Sequence, residues 1–164
     1  MSNVTTKLPQ VPLDVLADHL IVRILDADKP LTLIKLQLML YFVHAWGLAL
    51  YKQPITDIKF QAWIHGPQSV ALMARFKDRL YCEVVTKADV NGPLLPLDSH
   101  VSDTLEQVLT AYLPFDSSAL QHLAQQSKPW RKARGSKDPT ERCDTELSNT
   151  DMLNYFTWLM AEPE

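Results

Sequence analysis

The stretch TLIKLQLMLYFVHAWGLALY, Thr32 to Tyr51, decides the fold. Leu, Met and aromatic side chains fall on nearly every side of the helix it forms, so that helix has to be central rather than laid on a surface. Thr32 is placed to cap its start, Lys35 and Gln37 give it a polar edge early on, and Lys52-Gln53-Pro54 ends it. Its most apolar part, Leu38 to Tyr51, is shorter than the roughly 20 residues of a bilayer-spanning helix and contains His44. It reads as a buried helix and not as a membrane anchor.

Upstream, Val15, Leu16, Leu20, Val22, Ile24 and Leu25 recur near the spacing of one helical face, predicting a first helix from Val11 to Asp28 with Pro12 in its first turn. Lys29-Pro30 stops it. Downstream, Ile55 to Trp63 fits both alternation and a short irregular helix. Gly66-Pro67 breaks the chain, and Pro67 is placed to open a third helix through Leu80 with Val70, Leu72, Met73 and Phe76 on its inner side. Tyr81 to Thr86 is β-branched enough for one short strand, which would pair with Lys59 to Trp63.

Asn91-Gly92-Pro93 and Pro96 mark a loop before a fourth helix, capped by Ser99 or Ser102 and reaching Tyr112. Leu113-Pro114 closes it. A fifth helix runs from an Asp116 or Ser117 cap to Gln125 or Gln126, Pro129 opens a short sixth around Trp130 to Arg134, and Gly135 to Thr145 is a polar loop. Ser148 with Asp151 starts a last helix carrying Met152, Tyr155, Phe156 and Leu159. The expectation is one mainly α domain over residues 1–164, with six to seven helices and at most a small two-stranded β element.

Composition sets the class. The 164 residues are 46% hydrophobic and 21% charged with only four glycines, which argues for a packed core that buries roughly two-thirds of the unfolded surface. A net charge of −3 gives no global attraction to nucleic acid or anionic membrane. Cys82 and Cys143 stand far apart without a CxxC partner, which suits reduced thiols in a cytoplasm and leaves one long-range disulfide open. Met1 to Pro12 is polar and lacks the apolar core of a signal peptide, so the expected location is cytoplasmic.

Four blocks then point to one family. Thr32 to Tyr51 is followed by Gln53-Pro54-Ile55, by Trp63-Ile64-His65-Gly66-Pro67 and by Pro129-Trp130-Arg131-Lys132-Ala133-Arg134, in that order over most of the chain. In this the chain resembles the Panacea domain family of SocA-like, phage-associated proteins. The family's recurrent positions fall on Lys35, Leu36, Gln37, Tyr41, Trp46, Trp63, Gly66, Pro67, Pro129 and Trp130. It departs at Leu38, where a basic residue is common, at Gly47 inside the main helix, and at Gln125-Gln126. The resemblance implies a helical antitoxin that neutralises a toxin by direct binding. The adjacent gene is the expected source of that toxin; a SocA-like member instead delivers its toxin to a protease, which adds a protease or chaperone to the expected partners.

Taken on their own, Trp46, Trp63, Trp130 and Trp158 read first as core aromatics. An indole edge at the surface would instead make an interface anchor, and Trp130 beside Arg131 and Trp63 beside His65-Gly66-Pro67 are the candidates. The expected partner-binding set is Trp63, His65, Gly66, Pro67, Gln68, Trp130, Arg131, Lys132 and Arg134. Lys128, Arg131, Lys132, Arg134, Lys137 and Arg142 form the densest basic stretch, partly offset by Asp138 and Glu141; it reads as a solvated face or an electrostatic dock for an acidic partner, with a nucleic-acid patch the least expected because no winged or helix-turn-helix reader emerges. Lys35 on its greasy helix asks for a carboxylate, from Asp18 or Asp57. The five histidines show no metal-ligand spacing, Asp98-Ser99-His100 is contiguous and so no triad, and phosphate loops are absent. No cofactor, metal or catalytic residue is expected; the rival enzyme reading would need His65, Lys35 and acidic residues to share a cleft.

Overall fold

A computed structural model describes residues 6–162. The reading of Met1 to Pro12 as leaderless therefore falls in part on residues outside those described. Among the described residues seven helices run α1 Leu13–Asp26, α2 Leu33–Tyr51, α3 Val70–Arg75, α4 Ser99–Tyr112, α5 Ser117–Gln126, α6 Lys128–Arg134 and α7 Asn149–Ala161. A hairpin of β1 Gln61–Trp63 and β2 Gly66–Gln68 precedes α3, and one 3-10 turn covers Lys87–Asp89. The expected mainly α architecture with a small two-stranded element is what the chain adopts.

The centre is α2. Sixteen of its nineteen residues are buried, and α1, α4, α5, α7 and β2 all pack on it. Tyr41, fully buried, meets Phe42, Phe60 and Phe156 at ring separations of 5.4 to 5.9 Å, and Phe42 stacks on Tyr112 at 4.1 Å. Such tilted and offset pairs add to plain area burial. The Trp46 indole N–H donates to the Tyr112 hydroxyl at 2.8 Å, so the ring that closes the far end of α2 carries no unsatisfied donor.

Thr32 caps α2 by accepting from the Lys35 N–H at 3.3 Å. The two preceding amides explain the first departure from expectation. Tyr81 to Thr86 is not a strand: its carbonyls at Tyr81 and Glu83 accept from the N–H groups of Ile34 and Leu33, at 2.8 and 3.0 Å. A buried helix start needs partners for its first amides, and this turn supplies them, so its backbone is spent on α2 and not on Lys59 to Trp63.

The second departure is the Gly66-Pro67 region. Pro67 does not open a helix; it lies in β2 opposite Ala62, with Trp63 facing Gly66 and Gln61 facing Gln68. Helix α3 starts only after Ser69, whose hydroxyl accepts from the Leu72 N–H, and it stops at Arg75, leaving Val70 about half exposed instead of inside. Gly66 has φ +115°, and a Cβ there would sit 3.2 Å from Leu38 Cδ2. Gly66→Ala is therefore expected to cost about 1–2 kcal/mol through the left-handed backbone alone, visible as a lowered urea midpoint; an unchanged midpoint would refute this account of the turn.

The remaining differences are small. Helix α1 is shorter than expected at both ends, with Pro12 at its N-cap, and Asp98 rather than Ser99 or Ser102 precedes α4. Asp116 and Ser148 cap α5 and α7 through their side chains. Gly47, which looked like an interruption, lets Ile55 lie flat on α2: a Cβ would come within 2.7 Å of the Ile55 side chain. Cys82 is exposed, Cys143 is buried, and both are free thiols.

His44 is buried on α2 and bonds through Nε2 to Asn149 Oδ1 at 2.9 Å, tying α2 to the start of α7. Burial lowers its pKa, with the Asn149 bond and the Asp57 charge opposing. The depressed native pKa means that the unfolded chain takes up the proton first. Stability is fully present above the ordinary imidazole value of about 6.5 and is lost as pH falls through the native pKa. Urea titrations between pH 7.5 and 5 are expected to show that loss, with a shallower slope in His44→Gln; equal slopes would exclude His44 as the source.

Candidate functional site

Helix α6 has two unlike faces. Trp130 and Arg134, four residues apart, turn inward onto β1. The Trp130 indole donates to the Trp63 carbonyl at 2.9 Å; Arg134 donates to the carbonyls of Ala62 at 2.9 Å, Asp138 at 2.7 Å and Glu141 at 2.6 Å, with its guanidinium 5.1 Å from the Trp130 ring centre. Gln125 of α5 donates to the Ile64 carbonyl at 2.9 Å. These bonds join the hairpin to the α5–α6 corner, so the two blocks singled out in the sequence form one unit. At the same corner Pro129 opens α6, and Ser127 receives the buried Tyr41 hydroxyl at 2.8 Å. Burial pushes the Tyr41 phenol well above its ordinary pKa, which keeps it neutral.

The joint corrects several expectations. Trp130 is only 9% exposed and Gly66, Pro67, Gln68 and Arg134 are buried, so neither the Trp130 edge nor the Gly-Pro turn is an exposed anchor. Trp158, read as a core aromatic, is 54% exposed. Phe156 and Met152 of α7 face the core, and two residues beyond Phe156 the helix has turned Trp158 outward.

The outer face of α6 presents Lys128, Arg131 and Lys132, all exposed. Helix α7 packs alongside and offers Asp151, Asn154, Tyr155 and Trp158, whose spacing of three, four and seven places them on one face. Between the helices lies an open groove of about 1180 Å³, lined also by Gly135, Lys137 and Pro139 of the following loop. Lys132 bonds to Asp151 at 3.0 Å across it, and Lys137 approaches Glu141 at 3.4 Å. Arg131 and Lys128 have no carboxylate partner among the described residues. Tyr155, at the groove wall, has a pKa raised by burial and pulled back by the Arg131 charge, so it offers a neutral hydroxyl beside a cation.

The hairpin tip forms a second, smaller cleft of about 390 Å³. His65 stacks on Tyr81 at 4.5 Å, and the Trp63 indole donates to Gln61 at 2.7 Å. Cys143 and Asp144 line the same cleft as His65, yet the Cys143 thiol points at the Ala133 carbonyl, 3.9 Å away, and makes no bond to His65. Lys35 does not line this cleft. Among the described residues no group of three His, Cys, Asp or Glu is arranged to hold a metal ion.

The remaining signature positions sit inside. Leu36 is fully buried, and the Gln37 side chain pairs with the backbone of Ser69. Lys35 forms no ion pair among the described residues: Asp18 binds Arg75 instead, and Asp57 is exposed elsewhere. Burial lowers the Lys35 pKa, Lys29 lowers it further, and the carboxylate that raises it is Asp116.

A family model described as antitoxin SocA-like, Panacea domain, matches residues 36–131. That span begins in the first turn of α2, holds the rest of that helix, the hairpin and the first half of α6, and ends before α7. No curated protein and no solved structure matches the chain.

Proposed function

The chain belongs to the SocA-like antitoxin family defined by the Panacea domain, and from that premise we propose that it neutralises a partner toxin by direct, stoichiometric binding. The toxin is the product of an adjacent gene, both act in the cytoplasm, and the domain itself performs no chemistry. The observation that carries this reading is the α6–α7 groove, where Lys128 and Arg131, without a carboxylate partner among the described residues, stand beside an exposed tryptophan. Trp and Arg are the residues most often found at the energetic centre of protein interfaces.

Of the residues first singled out, Trp63, His65, Arg131 and Lys132 keep solvent access and serve as contacts, joined by Trp158. Gly66, Pro67, Gln68, Trp130 and Arg134 shape the surface from beneath. Co-expression with each neighbouring reading frame is expected to relieve growth arrest by one of them and to give a complex that co-elutes with the chain. Relief with a shortened partner half-life would replace neutralisation by delivery to a protease. Neither relief nor a complex with any neighbour would overturn the reading.

A further inference from the structure

The α6–α7 groove has a chemistry narrower than that of a general protein-binding surface. Lys128 to Lys137 contains five cations and no carboxylate, while the rest of the chain carries 11 cations against 19 carboxylates. Arg134 is buried and Lys132 and Lys137 pair with Asp151 and Glu141, so the charge offered to a partner is that of Lys128 and Arg131, which have no carboxylate partner among the described residues. An acidic group approaching these two side chains is drawn in by their local field, which favours one docking orientation. The α7 side is different in kind: Trp158 is more than half exposed and sits 5.7 Å from the Tyr155 ring, and an exposed tryptophan lining a groove is the residue type most enriched among binding hot spots.

We propose that this groove receives an acidic segment of the toxin in which carboxylates flank one bulky apolar side chain, the carboxylates meeting Lys128 and Arg131 and the apolar group covering Trp158. The proposal rests on the toxin-binding reading. Asp151 to Trp158 spans about 10 Å of helix, enough for two turns of a helical segment or three to four extended residues. Asn154, exposed between them, is free to bond the segment's backbone. A nucleic-acid strand fits less well. The cations are gathered on the two turns of α6 and the adjoining loop rather than strung along a track.

The test uses the full chain and three fluorescent 12-residue probes: a Glu-rich peptide with a central Leu, its Gln-for-Glu counterpart, and oligo-dT of 12 nucleotides. The Glu peptide alone is expected to bind saturably. Its affinity is expected to fall about tenfold in Arg131→Glu and in Trp158→Ala, to be unchanged in Lys77→Glu on the surface near α3, and to weaken as salt rises. Both key positions are exposed, and circular dichroism of each variant verifies folding. Equal binding of the Gln peptide, preferred binding of oligo-dT, no binding of the Glu peptide, or self-association of the chain that Arg131→Glu abolishes would each overturn the proposal. The two levels separate cleanly. A neighbouring toxin still neutralised and held by Arg131→Glu and Trp158→Ala sinks the groove and spares the function, whereas Glu-peptide binding with no neutralised neighbour does the reverse.

Discussion

Arg134→Ala is expected to destabilise the protein by about 3 kcal/mol, because three backbone carbonyls lose their only charged donor at once. The guanidinium is buried, is served by Ala62, Asp138 and Glu141 through their carbonyls, and has no carboxylate partner among the described residues. Its charge is offset by carbonyl dipoles and the Trp130 face, an arrangement that suits a planar fork with several donors. Arg134→Lys is therefore expected to recover less than half of the loss, since one ammonium cannot reach β1 and the 138–141 loop together. Differential scanning fluorimetry is expected to show a fall of about 6 to 12 °C for the alanine variant; a change under about 2 °C would mean the loop carbonyls find water without cost. Such a result would also return Arg134 to the candidates for partner contact. Loss of binding in Arg134→Ala reports on the fold of the groove, while loss in Arg131→Glu reports on its surface.

That division between Arg131 and Arg134 was legible in the sequence, through helical spacing. Trp130 and Arg134 share one stripe of α6, and Lys128, Arg131 and Lys132 share the other. Treating the block as a single basic patch hid it. Helix α2 was legible because its apolar residues leave no polar face, and the Thr32, Asp116 and Ser148 caps because each acts within three residues of itself. The hairpin was not. Gly66-Pro67 offers the local chemistry of a helix start, and only Leu38, distant in sequence, shows why a glycine with positive φ is needed there. Tyr81 to Thr86 has real β character, but the amides that claim its carbonyls belong to Leu33 and Ile34. The groove was half legible: its α6 wall stood out by charge, while Trp158 was hidden by the general rule that large rings go inside.

Gln37→Leu is expected to cost about 3 kcal/mol although it preserves volume, and that contrast isolates hydrogen bonding from packing. The Gln37 amide accepts from the Ser69 N–H at 2.7 Å and donates to the Ser69 carbonyl at 3.0 Å, and both residues are buried. Leucine fills the space and leaves both backbone groups without partners or water, the costly half of the hydrogen-bond asymmetry. Gln37→Glu adds a sign. Ionised, it presents a charge to the Ser69 carbonyl in a buried site; protonated, it restores the donor. Its native pKa is thus raised, so its stability is expected to be highest below about pH 4.3 and to fall as pH rises through the native value. Urea unfolding of the three proteins across pH decides the matter. A Gln37→Leu protein as stable as the parent, or a Gln37→Glu protein that gains stability as pH rises, would show that the pairing does not hold the turn. The hairpin would then be held by α5 and α6, through Gln125, Trp130 and Arg134, and by the Ala62 N–H bond to the Thr145 carbonyl.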